Sequence, residues 1–243
     1  MKIAEIQVTP VHQERWGDDL DVVNAARVSF AKESTWVWDD EYLEYMEGEL
    51  KPQDIKLIQY LAKHKHFSPF NHSFITVRVK APIFVARQLV KHKFMPWNEV
   101  SRRYVDDEPE FYMTKEWRGK PLNVKQGSDG RCEAMYENAD KDWMHEDIAM
   151  PLDDQAHLLL SNTVLLYNEM VEKGCAPEQA RMILPQNMMT EWIWSGTLGA
   201  FADMLRLRLD PHTQYESQIV AKQILPLIQA SFPVSIQSLL ENK

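Results

Sequence analysis

The sequence predicts a mixed α/β fold rich in helix, as a single domain over residues 1–243 with a polar insertion around residues 117–152. Three observations lead there. Few segments alternate apolar and polar residues at period two, the mark of a strand. Many more place apolar residues three and four apart behind recognisable caps, the mark of a helix. No internal repeat or low-complexity run interrupts them. With 44% apolar and 26% charged residues over 243 positions, the composition is that of a globular chain able to bury a sizeable core.

The elements follow in order. IAEIQVTPV alternates weakly and reads as an opening strand ended by Pro10. DDLDVVNAARVSF begins at an aspartate cap and sets Leu20, Val23 and Arg27 at helical spacing. PQDIKLIQYLAKH places Pro52 near a helix start, with Ile55, Ile58, Leu61 and Ala62 on one face. SFITVRVKA, with Ile75, Val77 and Val79 at period two, is a strand. PIFVARQLVKHK is the next helix, with Ile83, Ala86, Leu89 and Val90 as its apolar face. Residues 105–157 turn polar and read as a long connection with one short helix, a run whose length suggests a functional or mobile segment. DDQAHLLLSNTVLLYNEMVEKG is an amphipathic helix capped by Asp153 or Asp154 and closed by Gly174. PEQARMIL forms a short helix with Pro177 in its first turn, NMMTEWIWSGT reads as a strand, and LGAFADMLRLRL and PHTQYESQIVAKQILPLIQASF as two further helices.

A formal net charge of −9 argues against a general nucleic-acid binder, which needs a broad basic surface. A local basic cluster still suits a small anion. Cys132 and Cys175 show neither CxxC spacing nor a partnering His cluster, so no zinc site or disulfide framework is indicated and a reducing, cytoplasmic setting is expected. The first residues lack an apolar core of the secretory type, and no window approaches eighteen uninterrupted apolar residues, so no membrane span is expected.

The chemistry concentrates in KHKFMPWNEVSRRY, residues 91–104. Gln88, Lys91 and His92 fall on one face if the preceding helix continues. The plain explanation for Lys91 and Lys93 is a solvated last turn whose cations answer the helix dipole. It leaves the aromatic, amide, carboxylate, hydroxyl and guanidinium groups of residues 94–104 unexplained, and mixed donors and acceptors on a loop are what a polar ligand needs. His64, His66 and His72 read as turn or surface residues rather than metal ligands, since their spacing puts no pair on one helical face and no HExxH accompanies them. Arg206 and Arg208 lie two apart on a helix end, so only one can face a shared site. Neither cysteine has a neighbouring base, Ser101 has no Ser-His-Asp arrangement, and GxGxxG and P-loop motifs are absent, so redox or transfer chemistry would be borrowed from a cofactor.

RQLVKHKFMPWNEVSRRY resembles the RHRxxSxNxxSxRY signature of flavin-dependent thymidylate synthases, the ThyX class. VVNAARVSF, FSPFNHSFITVRVKAPIFVARQ, EFY, ARMILPQNMMTEW and RLRLDPHTQYESQ resemble further segments of that family in the family order, over roughly residues 20–115 and 160–230. The resemblance implies a central sheet flanked by helices and a homotetramer with active sites shared between subunits. It implies FAD reduced by NADPH, methylenetetrahydrofolate as one-carbon donor, and reductive methylation of dUMP to dTMP.

Position by position, the resemblance makes Arg208 the activating arginine that stabilises the ionised uracil N3. It makes Gln88, Lys91, Glu99, Val100, Ser101, Arg102, Arg103 and Arg181 nucleotide contacts, with Ser101 a contact rather than a nucleophile. It places His66, Ser68, Lys91, His92, Lys93, Phe94 and Glu99 near the flavin. Thr197, Gly199 and Asp203 stand where many members carry Asn, Arg and Asn against FAD. Lys91 and Lys93 replace two arginines, keeping charge but losing bidentate geometry, and Pro96 replaces the first motif serine. These departures leave open another C5 modification, such as hydroxymethylation. A non-catalytic nucleotide- or RNA-binding protein is the alternative of a different class.

Overall fold

A computed structural model describes residues 1–37, 48–105, 107–122, 127–132, 135–136 and 150–242. In chain order the strands and helices are β1 (Lys2–Ile3), β2 (Gln7–Pro10), α1 (Asp19–Arg27), α2 (Pro52–Lys63), β3 (Phe74–Pro82), α3 (Ile83–Leu89), β4 (Trp97–Glu99), β5 (Glu110–Phe111), β6 (Arg118–Gly119), β7 (Asp129–Arg131), β8 (Met135–Tyr136), β9 (Met150–Pro151), α4 (Leu152–Glu172), α5 (Pro177–Ala180), β10 (Met189–Thr197), α6 (Leu198–Arg208), α7 (Tyr215–Ser231) and α8 (Pro233–Glu241). The mixed, helix-rich α/β class is as expected. The backbone falls into two compact units, one of residues 1–6, 80–87 and 99–191, the other of residues 7–79, 88–98 and 192–243.

The larger unit is built on a four-stranded sheet in the order β2-β3-β10-β4. The alternation read in β3 is literal, since Ile75, Val77 and Val79 are fully buried, while Trp192 and Trp194 alternate in the same way on β10. Helices α6, α7 and α8 bury Phe201, Leu205, Ile224, Ile228 and Ile236, and α8 packs on α2, α6 and α7. α1 starts at a reciprocal capping box: Asp18 accepts from the main chain of Asp21, whose carboxylate accepts from the Asp18 amide. The next residue, Asp19, is buried and accepts from the amides of Val234 and Ser235, capping α8 from another part of the chain. α8 was not anticipated from the sequence.

In the smaller unit, Phe111, Leu160, Val164 and Met188 form a core flanked by Ile83, Met113 and Leu184. β1 pairs with β5 in parallel register, Lys2 opposite Glu110 and Ile3 opposite Phe111. The expected opening strand is thus two strands with different partners. Among the described residues of the expected polar connection no short helix occurs before α4. Short antiparallel pairs β6-β7 and β8-β9 stand there instead, and residues 123–126, 133, 134 and 137–149 of the insertion lie outside the described residues. α4 is capped at Pro151, with Asp153 and Asp154 in its first turn where they complement the helix dipole rather than cap it. Its far end is as expected. Gly174 takes φ +83°, and the amides of Gly174 and Cys175 return to the carbonyls of Val171 and Met170. Among the described residues no helix is long and apolar enough to cross a membrane.

Candidate active site

Helix α3 ends at Leu89, earlier than the periodicity suggests, and Val90 is exposed rather than on an apolar face. Residues 90–94 form a tight turn instead, closed by Phe94 in the left-handed region at φ 60°. A bulky residue there costs about 1 kcal/mol or more, and its ring is 88% exposed. Lys91 and Lys93 are exposed on this turn, and among the described residues neither has a carboxylate within ion-pair distance.

His92 alone turns inward. Arg208, in the last turn of α6, donates from Nε to His92 Nε2 at 3.0 Å and from Nη2 to the Gln88 carbonyl at 3.2 Å. Gln88 and His92 therefore do meet, at a shared arginine rather than along one helical face. The Gln88 side chain is held too. Its Oε1 accepts from Ser217 Oγ at 3.2 Å and its Nε2 donates to Gln214, which donates on to Glu216 at 3.1 Å. Burial, with the Arg208 charge adding to it and Asp203 opposing it, lowers the His92 pKa to about 4, so the ring is neutral at neutral pH. Burial also lowers the Arg208 pKa, yet a guanidinium keeps its charge. Arg206 faces elsewhere, pairing with Asp203 at 2.7 Å and donating to the Leu239 carbonyl at 2.7 Å. The two arginines face different partners, as their spacing implies.

Asp203 is therefore neutralised by Arg206 rather than presented as a bare carboxylate. Thr197 caps α6 through its Oγ, which accepts from the Ala200 amide and donates to Asn71 Oδ1 at 2.8 Å. A Cβ on Gly199 would lie 2.6 Å from that same Asn71 oxygen. Gly199→Ala is expected to lower stability by about 1–2 kcal/mol despite the better helix propensity of Ala. Adding Asn71→Ala should restore most of the loss, as read from paired thermal melts. His66 lies on the turn after α2, with its ring 5.9 Å from Tyr60, and Ser68 opens the 3₁₀ turn Ser68–Asn71.

The smaller unit holds a cavity of about 840 Å³ lined by Glu99, Val100, Arg102 and Arg181 among the expected residues, and also by Lys2, Lys80 and Arg87. Lys2 pairs with Glu108, and Lys80 with Glu110. Among the described residues no carboxylate lies within ion-pair distance of Arg87, Arg102 or Arg181. Arg102 donates to the Asp107 carbonyl, and Arg181 Nε to the Glu178 carbonyl at 3.4 Å. Arg87, Arg102 and Arg181 thus offer guanidinium donors suited to an anion, on a cavity that Glu99, Asp107, Glu108, Glu110, Glu178 and Glu191 also line. Glu99 accepts from Thr190 at 2.8 Å. Ser101 and Arg103 do not line the cavity. Ser101 Oγ accepts from Arg103 Nε at 3.1 Å. Arg87 was missed from the sequence. The signal was its place on the last turn of α3, four residues before Lys91 and beside Gln88.

Residues 12–234 match the family described as thymidylate synthase complementing protein. The chain belongs to that family. It is 33% identical to a flavin-dependent thymidylate synthase of Thermus thermophilus over 91% of this chain and 72% of that protein. It is 33% identical to the enzyme of the same name from Kosmotoga olearia, over 93% and 87%. Its fold is similar to crystal structures of the UMP/dUMP methylase PolB from Streptomyces cacaoi. The TM-score is 0.75 to the form bound with 5-Br dUMP, at 25% identity over 99% of this chain and 97% of that one. It is 0.77 to the form bound with 5-Br UMP, at 25% identity over 99% and 96%.

The two synthases named above are flavin-dependent, and the exposed groups of the turn have the chemistry to hold such a group. Lys91 and Lys93, with no carboxylate in ion-pair distance among the described residues, would suit a diphosphate, and Asp203 is paired with Arg206 rather than bare.

Proposed function

We propose that this chain is a flavin-dependent thymidylate synthase, a methyltransferase that converts dUMP to dTMP. In the balanced reaction dUMP, methylenetetrahydrofolate, NADPH and a proton give dTMP, tetrahydrofolate and NADP⁺. The observation that carries this reading is Arg208. It is a charged, half-buried guanidinium held by two acceptors, with no further acceptor on its remaining N–H groups among the described residues.

A cation placed at the uracil N3–C4 edge stabilises the negative charge left when N3 loses its proton. That charge is shared with C5, which becomes the nucleophile toward the one-carbon unit. In an assembly whose active sites are shared between subunits, Arg87, Arg102 and Arg181 would be the smaller unit's contribution to the nucleotide phosphate, with Glu99 and Val100 on the same cavity. Ser101 and Arg103 would contribute from the adjoining turn. Lys91, His92, Lys93, Phe94, His66, Ser68, Thr197, Gly199 and Asp203 would surround FAD, which supplies hydride chemistry when bound. Leu158, Leu159, Leu165 and Leu166 are exposed along α4, an apolar face that supports assembly into the homotetramer.

Purified protein is expected to be yellow and to form dTMP from dUMP, methylenetetrahydrofolate and NADPH, with the product identified by mass spectrometry. Protein that stays colourless with added FAD rules the reading out, and a product one oxygen heavier establishes hydroxymethylation instead. UMP belongs in the same assay, because the fold is similar to a methylase solved with 5-Br UMP bound. Arg87→Ala and Arg181→Ala are each expected to raise the dUMP KM about 10–100-fold with a smaller change in kcat. This follows from the roughly 1.5–3 kcal/mol carried by a hydrogen bond to a charged group. Steady-state titration of dUMP checks it.

A further inference from the structure

Arginine carries only donors, so whichever imidazole nitrogen faces it must present a lone pair. Arg208 Nε faces His92 Nε2 at 3.0 Å. In a neutral ring the proton then sits on Nδ1. The contact works in both directions. Arg208 has one acceptor in the His92 ring and a second in the Gln88 carbonyl at 3.2 Å, and that carbonyl is fixed because Gln88 is tied through its side chain to Ser217 and Gln214. Two separate acceptors, one at Nε and one at Nη2, define the plane of the fork, and a single one would leave it free to rotate. The His92 ring is itself confined by Trp194, 6.2 Å away between centroids.

The geometry points to His92 as a positioning residue: Arg208 locks it as the Nδ1–H tautomer, and it in turn aims Arg208. It does not exchange protons with substrate. Its lowered pKa agrees, since the charged form that would clash with Arg208 is not populated at neutral pH. The charged groups bearing on the ring are Arg208 and Asp203, both on α6. The tautomer follows from the hydrogen bond alone. The catalytic consequence rests on the thymidylate synthase reading.

Nitrogen-15 spectra of histidine-labelled enzyme test the first half without any turnover, with the His92 signals assigned by their loss in His92→Gln. The expected pattern is a protonated Nδ1 and a lone-pair Nε2, giving way to a tautomer-averaged pattern in Arg208→Met. A protonated Nε2 in the intact enzyme, or no change in Arg208→Met, overturns the proposal. For the second half, His92→Ala is expected to lower kcat about 10–100-fold with the dUMP KM changed less than about threefold, as for other residues that orient a functional group. His92→Gln keeps an acceptor for Nε–H and should recover most of that loss. Equal losses in the two variants, or a change confined to KM, remove the positioning role. If the unmodified enzyme makes no dTMP, the functional reading fails while the tautomer result still stands or falls on the spectra.

Discussion

Arg208→Ala is expected to lower turnover by about 10²–10³-fold or more, while the purified protein keeps its flavin. The magnitude is that of removing one preorganised donor from a developing negative charge. Three features of the structure make Arg208 such a donor. It is half-buried, so its field is less screened than that of a surface cation. It is held at Nε and Nη2, so little reorganisation is needed when charge develops. Its acceptors are a neutral imidazole and a main-chain carbonyl rather than a carboxylate, so its positive charge is not cancelled. Arg206, two residues earlier, is the internal contrast, because its charge is spent on Asp203. Arg206→Ala should therefore leave kcat within a few-fold while loosening α6 against α8. The measurements are dTMP formation at saturating dUMP and the flavin absorbance of each purified variant. A colourless Arg208→Ala protein would move this residue from catalysis to flavin binding or folding.

How far the sequence carries depends on the range of the interactions involved. Asp18 and the apolar pattern behind it are local, so α1 was legible from its own residues. The contrast between Arg206 and Arg208 was legible for the same reason, because 3.6-residue periodicity alone separates their faces. The end of α3 was not legible. No Gly or Pro stands between Leu89 and Pro96, and the chain turns there through Phe94 in a conformation its side chain does not announce. α8 was missed because it begins directly after Phe232, and the group that caps it, Asp19, lies 215 positions before Val234. The division of the opening segment into β1 and β2 is likewise nonlocal, since Ile3 is fixed by pairing with Phe111. The basic turn 91–104 was visible as a cluster. Its split into Lys91 and Lys93 facing outward and His92 facing Arg208 was not, because that depends on where α6 ends. Arg87 joins Arg102 and Arg181 only through the cavity they share.

Asp54→Ala is expected to lower the stability of the larger unit by about 3 kcal/mol, through loss of a buried ion network. Asp54 is fully buried in the first turn of α2, where its charge also meets the helix dipole. Arg27, only 19% exposed, donates to its Oδ1 from both Nε and Nη2. Ser34 donates to the other carboxylate oxygen, and Asn24 clamps the Ser34 main chain at both ends, at 2.7 Å and 3.1 Å. The carboxylate thus ties α1, α2 and the segment after α1 together. Removing it leaves the Arg27 guanidinium partly buried without a counter-ion and the Ser34 hydroxyl without an acceptor, and an unpaired buried charge is penalised more heavily than the intact pair is rewarded. For a chain of 243 residues such a loss corresponds to a melting temperature lower by roughly 6–12 °C. Asp54→Asn keeps an acceptor and should lose about half as much. The decisive variant is the double change Arg27→Met with Asp54→Leu. It removes both charges and fills the space with apolar atoms, so it should melt well above Asp54→Ala even though it carries more substitutions. If the double variant is instead the less stable of the two, the uncompensated Arg27 charge is not what makes Asp54→Ala costly, and the charge-compensation account fails. Thermal melts of the three variants at one protein and flavin concentration separate these outcomes.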